Sequence, residues 1–185
     1  MKENKFFLQV LVLVTLALLL APGAAAADVN LVSFGLGGGS SFDSAGAAGF
    51  AEFEHVLSER IGLAFRAGVL DYEYDDGDYR EEGDGPGVEA AVRFYILDDA
   101  PKSLYIGGGL GVWFTEWDYI DYNYGPPLRG SGDSASVEVH LAIGTHLEIS
   151  DKVVLTPAFQ LGSFISSDSE LGPYMLAGVS VGFIL

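Results

Sequence analysis

Hydrophobic residues alternate with small or polar residues along most of the chain after residue 27. A period of two is the spacing of side chains on one face of a β-strand, whereas a helix repeats every 3.6 residues. The alternation predicts eight strands, and no sustained helical period lies between them. The expected strands cover residues 30–40, 46–57, 61–69, 88–96, 104–115, 137–146, 153–162 and 175–183.

The two faces of these strands differ in composition. In the fifth strand, for example, one face carries Ile106, Leu110 and Phe114, whereas the other carries glycines and Trp113. Over the central span of the strands the first face has no charge, and the second mixes glycine and alanine with Glu, Arg, His and Gln. A soluble barrel that stores a ligand shows the reverse partition. The pattern therefore predicts a sheet with its apolar face toward lipid and its polar face toward a lumen.

The predicted connections alternate in length. Short turns at 58–60, 98–102 and 150–152 lie at one end, and polar loops at 71–87 and 119–134 lie at the other. This alternation is typical of outer-membrane barrels, and ten residues tilted by about 40° span the ~25 Å apolar band of such barrels. The sequence predicts an all-β, eight-stranded antiparallel up-and-down transmembrane β-barrel with both termini at the short-turn end.

On these features the chain resembles the small eight-stranded outer-membrane β-barrels of the OmpA/OmpX type. The resemblance is architectural and includes no function-specific motif. Members of this group usually end on an aromatic residue, whereas Ile184 and Leu185 follow Phe183 here. Pro157 lies in the seventh predicted strand and cannot donate a ladder hydrogen bond, so we expect a bulge or a strand boundary there.

The N-terminus has the three parts of a secretory signal peptide. Lys2 and Lys5 precede an apolar stretch at 6–20, and Pro22 then leads to a small-residue run at 24–27. We predict a cleaved signal peptide at 1–27 and a barrel domain at 28–185. The expected location is the outer membrane of a Gram-negative bacterium.

Composition excludes several classes of function. The chain has no cysteine, which excludes disulfides, thiolate metal sites and cysteine nucleophiles. Its net charge of -17 opposes nucleic-acid binding, because a polyanion would be repelled. No residue pattern indicates a cofactor or a resident metal site, and we predict neither.

Charged residues recur on the small and polar face of the predicted strands. Closure of the barrel would bring opposite charges together in the lumen, where buried charges persist only when they are paired. We predict a lumenal ion-pair network of Glu52, Glu54, Arg66, Glu89, Arg93, Glu138, His140 and Glu148.

Two other interpretations of the lumen are open. Ser136, His140 and nearby acids suggest a hydrolase similar to the lipid A 3-O-deacylases, which are also eight-stranded barrels. However, Ser136 and His140 are four residues apart, about 13 Å on a strand, and a nucleophile and its base need about 3 Å. We therefore predict no catalytic residues. A narrow ion or small-solute channel is the other alternative, although side chains fill most eight-stranded barrels.

The long polar loops contain the candidate surface residues. Acids crowd 71–84, where a solvated, self-repelling loop is the favoured interpretation and a Ca²⁺ or Mg²⁺ site is the weaker one. Tyrosines near the loops favour an interfacial aromatic girdle over an adhesive surface. The candidates are Tyr72, Tyr74, Asp75, Asp76, Asp78, Tyr79, Tyr119, Tyr122 and Tyr124.

The leading functional hypothesis is a non-enzymatic integral outer-membrane protein with a structural or surface-interaction role through these loops. Its expected partners are outer-membrane lipid and lipopolysaccharide, together with the outer-membrane insertion machinery. Fold alone does not fix function, so the loops and the lumen must decide between this role and the alternatives.

Overall fold

The computed structural model describes residues 29–41, 44–97, 100–123, 125–165 and 172–185. Within these ranges the chain forms no helix that is long and apolar enough to cross a membrane. Nine strands are present in the described residues: β1 (Asn30–Ser41), β2 (Ser44–Ser58), β3 (Ile61–Asp75), β4 (Tyr79–Tyr95), β5 (Leu104–Asp121), β6 (Leu128–Thr145), β7 (Leu147–Ser150), β8 (Val153–Ile165) and β9 (Pro173–Ile184).

The sheet closes into an eight-membered ring. Each of β1 to β5 pairs antiparallel with the next strand along the chain, β6 pairs with β8, and β9 joins β8 to β1. The predicted fold class, an all-β antiparallel up-and-down barrel, is confirmed. We call the end that carries Asn30 and Leu185 the terminal end, and the end that carries the turns 76–78 and 122–127 the hairpin end.

The ninth strand arises from an interruption opposite Pro157. Gly144 pairs with Ala158 and Leu147 pairs with Leu155, so the register is the same on both sides of the gap between β6 and β7. This register places Thr145 opposite Pro157, which has no backbone N–H to donate. The expected strand boundary thus lies in the partner strand, while β8 continues through Pro157 and pairs it with Val179.

The loops predicted at 71–87 and 119–134 are mostly strand, which corrects the sequence analysis. β3 and β4 pair without interruption up to Asp75 and Arg80, leaving a turn at 76–78. β5 and β6 pair up to Asp121 and Leu128. At the terminal end, β4 ends at Tyr95 and β5 begins at Leu104, so this connection is no shorter than the turns 76–78 and 122–127 at the hairpin end. Both hairpins therefore extend as paired β-structure.

The outer face of the ring is apolar over a continuous band. On β5, the exposed side chains Ile106, Leu110, Val112 and Phe114 point away from the lumen. Nine residues at ~3.3 Å rise and a ~40° tilt project to about 23 Å, close to the apolar band of outer-membrane barrels. Large exposed apolar side chains on β4, β6, β8 and β9 continue the band around the ring.

Candidate functional site

The middle of the lumen contains an ion-pair network built by neighbouring strands. Arg66 of β3 is directly opposite Glu52 of β2 and Glu89 of β4 in the register. Its Nη2 donates to Oε2 of Glu52 at 3.0 Å, and its Nη1 donates to Oε2 of Glu89 at 3.2 Å. The guanidinium also lies 4.2 Å from the ring centroid of Phe50. Strand alternation thus places each charge beside its counter-charge.

A second arginine extends this network toward the terminal end. Nη1 of Arg93 donates to Oε2 of Glu54 at 2.5 Å, and Nη2 donates to Oε2 of Glu52 at 2.6 Å. Arg93 also stacks on Tyr105, with 4.6 Å between its Cζ and the ring centroid. Glu52 therefore bridges two arginines, and Glu52, Glu54 and Arg93 are almost fully buried.

Aromatic side chains pack beneath Arg93. The hydroxyl of Tyr95 donates to Glu54 and lies 3.0 Å from Nε2 of His146. Nδ1 of His146 is in turn 2.6 Å from Oγ1 of Thr156. The rings of Tyr105 and His146 are 5.3 Å apart between centroids. These contacts fill the terminal half of the lumen.

Glu138 has a different environment from the other buried carboxylates. It accepts hydrogen bonds from Nε1 of Trp113 at 2.6 Å, from Nε2 of Gln160 at 2.7 Å and from the hydroxyl of Tyr174. Within the described part of the chain, no salt bridge joins it to an arginine or a lysine. Nδ1 of His140 lies 3.2 Å from its Oε1.

A cavity lies above the network and extends toward the hairpin end. Its walls are largely apolar and include Phe50, Leu70, Phe164 and Leu176. The floor is polar and consists of Arg66, Glu89, Glu138 and Gln160. Paired charges therefore occupy the middle of the lumen, where a smaller void lies among Arg66, Arg93 and His140, and the larger cavity lies above them.

Glu148 does not join the predicted network, and this is a correction. It lies in β7, which pairs with β8 alone and so projects from the terminal end of the ring. The carboxylate is exposed and pairs with Lys102. The other predicted members, Glu52, Glu54, Arg66, Glu89, Arg93, Glu138 and His140, all face the lumen.

Ser136 and His140 do not form a nucleophile and base. The hydroxyl of Ser136 is buried and has no hydrogen-bond partner among the described residues. His146, the other lumenal histidine, contacts Thr156 and Tyr95 instead.

The predicted aromatic girdle is wrong for Tyr72, Tyr74, Tyr79 and Tyr119, which occupy the inner faces of their strands. Tyr72 is buried on the inner face and donates to Glu81 at 2.8 Å. Burial and the Glu81 carboxylate raise the pKa of Tyr72, so its hydroxyl stays protonated. Tyr79 stacks on Tyr119 with 5.6 Å between ring centroids, and Tyr74 packs edge-on against Tyr79. Glycines on adjacent strands leave room for these inward rings.

The acidic residues of the turn 76–78 organise its backbone. Oδ1 of Asp76 accepts from the backbone N–H of Asp78 and of Tyr79, and Oδ1 of Asp75 accepts from the N–H of Gly77. Gly77 has a φ of 93°, a conformation that favours glycine. Tyr122 is exposed near the other turn, and Tyr124 lies outside the described residues.

Carboxylates on the outer face of the hairpins form two rows directly above the apolar band. Cross-strand register places the members of each row side by side. Such neighbours are about 5 Å apart between Cβ atoms, so like charges repel one another. The first row is Asp71, Asp84, Glu116 and Asp133, and the second is Glu73, Glu82 and Asp118, with Arg80 pairing with Glu73 and Glu82.

Several lumenal residues were not assigned to the site by sequence analysis. Tyr95, Trp113, His146, Gln160 and Tyr174 all contact a buried carboxylate of the network. Each occupies the inner face of its strand, so strand parity was a signal for them. Their partners across the lumen depend on barrel closure, which the sequence does not specify.

Comparison with known proteins identifies the fold. No family model matches the sequence, and no curated protein matches it either. Ail, the attachment invasion locus protein of Yersinia pestis, is 10% identical with a TM-score of 0.54, covering 85% of this chain and 98% of Ail. Neisserial surface protein A is 12% identical with a TM-score of 0.50, covering 88% and 99%. The translocator domain of autotransporter NalP from Neisseria meningitidis is 10% identical with a TM-score of 0.51, covering 97% of each chain. The chain therefore has the fold of small outer-membrane β-barrels.

Proposed function

We propose that this protein is exported through a signal peptide at 1–27 and inserts into the outer membrane of a Gram-negative bacterium as a non-enzymatic barrel. The apolar outer band and the barrel fold support this location. The partners in this proposal are outer-membrane lipid, lipopolysaccharide and the insertion machinery. The two rows of carboxylates then lie at the level of the lipid headgroups or above them.

The paired charges in the middle of the lumen are the observation that carries the non-conducting role. Glu52, Arg66, Glu89 and Arg93 form a paired layer across the middle of the barrel. Breaking such pairs is costly, because it leaves a charge buried without a partner. A channel would need these pairs to separate during conduction. In planar bilayers we expect no stepwise conductance from the wild-type protein.

The hairpins are the surface through which we propose that the protein acts. Their outer faces carry carboxylates, and their inner faces are packed with aromatic rings that stiffen them. A basic protein or peptide is the partner that this charge favours. Ail, in contrast, has been solved in complex with the heparin analogue sucrose octasulfate, a polyanion. We infer that the present barrel selects the opposite charge.

A binding experiment on the purified barrel in nanodiscs tests this role. Polylysine serves as the basic probe and a heparin oligosaccharide as the acidic probe. We expect polylysine to bind and heparin not to bind. A variant combining Glu73→Gln, Asp84→Asn, Glu116→Gln and Asp118→Asn should lose most of the polylysine binding.

The matched control is Glu148→Gln, because Glu148 is also exposed but lies at the terminal end. This variant should bind polylysine as the wild type does, because it leaves both carboxylate rows of the hairpins unchanged. Heparin binding by the wild type would contradict the proposed surface role. Polylysine binding that is undiminished in the variant with four substitutions would contradict it as well.

A further inference from the structure

Three members of the lumenal network form a cluster of metal-ligating side chains. Carboxylate oxygens of Glu89 and Glu138 and a ring nitrogen of His140 all lie within 4.8 Å of one another. The three residues come from β4 and β6, on either side of β5. No other group of three or more such residues is this close in the described part of the chain. The acidic hairpin 71–84 forms no such group there.

The imidazole of His140 has an unused nitrogen that faces this cluster. His140 is 4% exposed, and its Nδ1 has no hydrogen-bond partner among the described residues. The 3.2 Å approach to Oε1 of Glu138 lacks the alignment of a hydrogen bond. A buried polar nitrogen without a partner is costly, and a metal ion would satisfy it.

The excess of carboxylates in the lumen also favours binding of a divalent cation. Glu138 has no arginine partner, and Arg66 and Arg93 share the remaining carboxylates. The described middle of the lumen thus holds two more carboxylates than guanidiniums: Glu52, Glu54, Glu89 and Glu138 against Arg66 and Arg93. A divalent ion would neutralise this excess.

We propose that Glu89, Glu138 and His140 bind a divalent transition-metal ion such as Zn²⁺. Imidazole together with carboxylate is a donor set of zinc and its first-row neighbours, whereas Mg²⁺ and Ca²⁺ prefer oxygen ligands alone. Bond lengths of about 2.0–2.2 Å place tetrahedral donor atoms about 3.4 Å apart, so the side chains must close by roughly 1 Å. A fourth position remains for water or a ligand atom.

The surroundings of the cluster fit such a site. Trp113, Gln160 and Tyr174 hold Glu138 in place by hydrogen bonds, as outer-shell partners of metal ligands do. Gly111 of β5 makes room, because a Cβ there would lie 2.8 Å from Oε2 of Glu138 and 2.9 Å from Cγ of Glu89. Glu89 and Glu138 line the cavity that extends toward the hairpin end, which provides a path for the ion.

Zinc titration of the full chain, expressed with its N-terminal segment and purified from membranes into detergent after chelation, tests the proposal. We expect Zn²⁺ to bind with one equivalent per barrel, and Mg²⁺ at the same concentration not to compete. His140→Gln should weaken this binding roughly 100-fold, since removing a ligand costs at least as much as removing an outer-shell partner. Glu148→Gln, an exposed carboxylate near the end of the barrel, should leave it unchanged.

A measurement on the wild type covers the case in which His140→Gln does not fold. The chain has three histidines, so ¹⁵N-histidine labelling gives three sets of ring signals. The signals of one histidine should shift on saturation with Zn²⁺, and those of the other two should not. His55→Gln and His146→Gln leave the cluster intact, so each should remove a set that does not shift, which assigns the shifting set to His140. Zn²⁺ binding that shifts no histidine signal would overturn the proposal. So would a His140→Gln variant that binds Zn²⁺ as tightly as the wild type does, or a His140 ring whose signals do not change on addition of Zn²⁺.

Discussion

Glu52 and Arg66 occupy directly opposed positions of β2 and β3, and the Nη2 to Oε2 distance between them is 3.0 Å. The next position in the same lateral row is Glu89, also opposite Arg66. Arg66 is therefore flanked by two carboxylates in one row of the barrel. Glu52 has a second cation in Arg93, but no salt bridge links Glu89 to any other arginine or lysine in the described residues.

Replacement of Arg66 should therefore destabilise the barrel. In protein freed of metal by chelation, Arg66→Ala leaves Glu89 buried without a cation, and breaking such a pair costs about 3 to 5 kcal/mol. We expect this loss in the free energy of unfolding, measured by urea titration in lipid vesicles. Arg80→Ala, which breaks an exposed ion-pair cluster on the hairpin, should change stability little.

A second substitution should rescue this variant selectively. Glu89→Gln removes the stranded carboxylate and should recover part of the stability lost in Arg66→Ala. Glu54→Gln should not rescue it, because Glu54 pairs with Arg93 instead. Equal rescue by both substitutions, or a sharp rise in bilayer conductance with unchanged stability, would contradict a structural network and favour a gate.

The alternation of inner and outer positions along each strand was enough to predict part of the site. Arg66 and its two carboxylates were identifiable because all three lie on the inner face of neighbouring strands. Glu148 has the same parity in the sequence, but it lies where β7 has lost one neighbour and no longer faces the lumen. The contact between Glu138 and Gln160 crosses from β6 to β8 and depends on the register of closure, which no local pattern encodes.

The hairpins were missed as strands for a related reason. In β3, Asp71, Glu73 and Asp75 still alternate with Tyr72 and Tyr74. However, this alternation is between acidic and aromatic residues. The acidic residues lie on the outer face beyond the apolar band, and the tyrosines lie on the inner face. Reading hydrophobicity alone therefore ends the strand near Val69, where the apolar outward residues end.

Charge on the outer face should be costly inside the apolar band and tolerated just above it. Leu110→Arg places a charge in the band and should cost about 2 to 4 kcal/mol in a reversible folding assay in lipid. Glu116→Arg is the matched control, six residues further along the same face of β5, in the first carboxylate row. Equal losses for both variants would contradict the position assigned to the band.

A new charge at the lumenal position Gln160 should destabilise the barrel, although this side chain faces the polar lumen. Nε2 of Gln160 donates a hydrogen bond to Oε1 of Glu138 at 2.7 Å, and Oε1 of Gln160 accepts one from Nη1 of Arg66 at 3.1 Å. Both the donor and the acceptor of the amide therefore have lumenal partners. Gln160→Glu replaces the donor with a second carboxylate beside Glu138. We expect a measurable loss of stability in the same folding assay, partly relieved by Glu138→Gln. A Gln160→Glu variant as stable as the wild type would mean that water or another cation reaches this carboxylate.

The orientation of the barrel can be tested with single cysteines, because the chain contains none. Asn123 is exposed in the turn 122–127 at the hairpin end, and Asp151 is exposed in the turn between β7 and β8 at the terminal end. If the termini are periplasmic, a membrane-impermeant maleimide should label Asn123→Cys in intact cells. Asp151→Cys should be labelled only after the outer membrane is permeabilised. The reverse labelling pattern would invert the barrel and move the carboxylate rows to the periplasmic side.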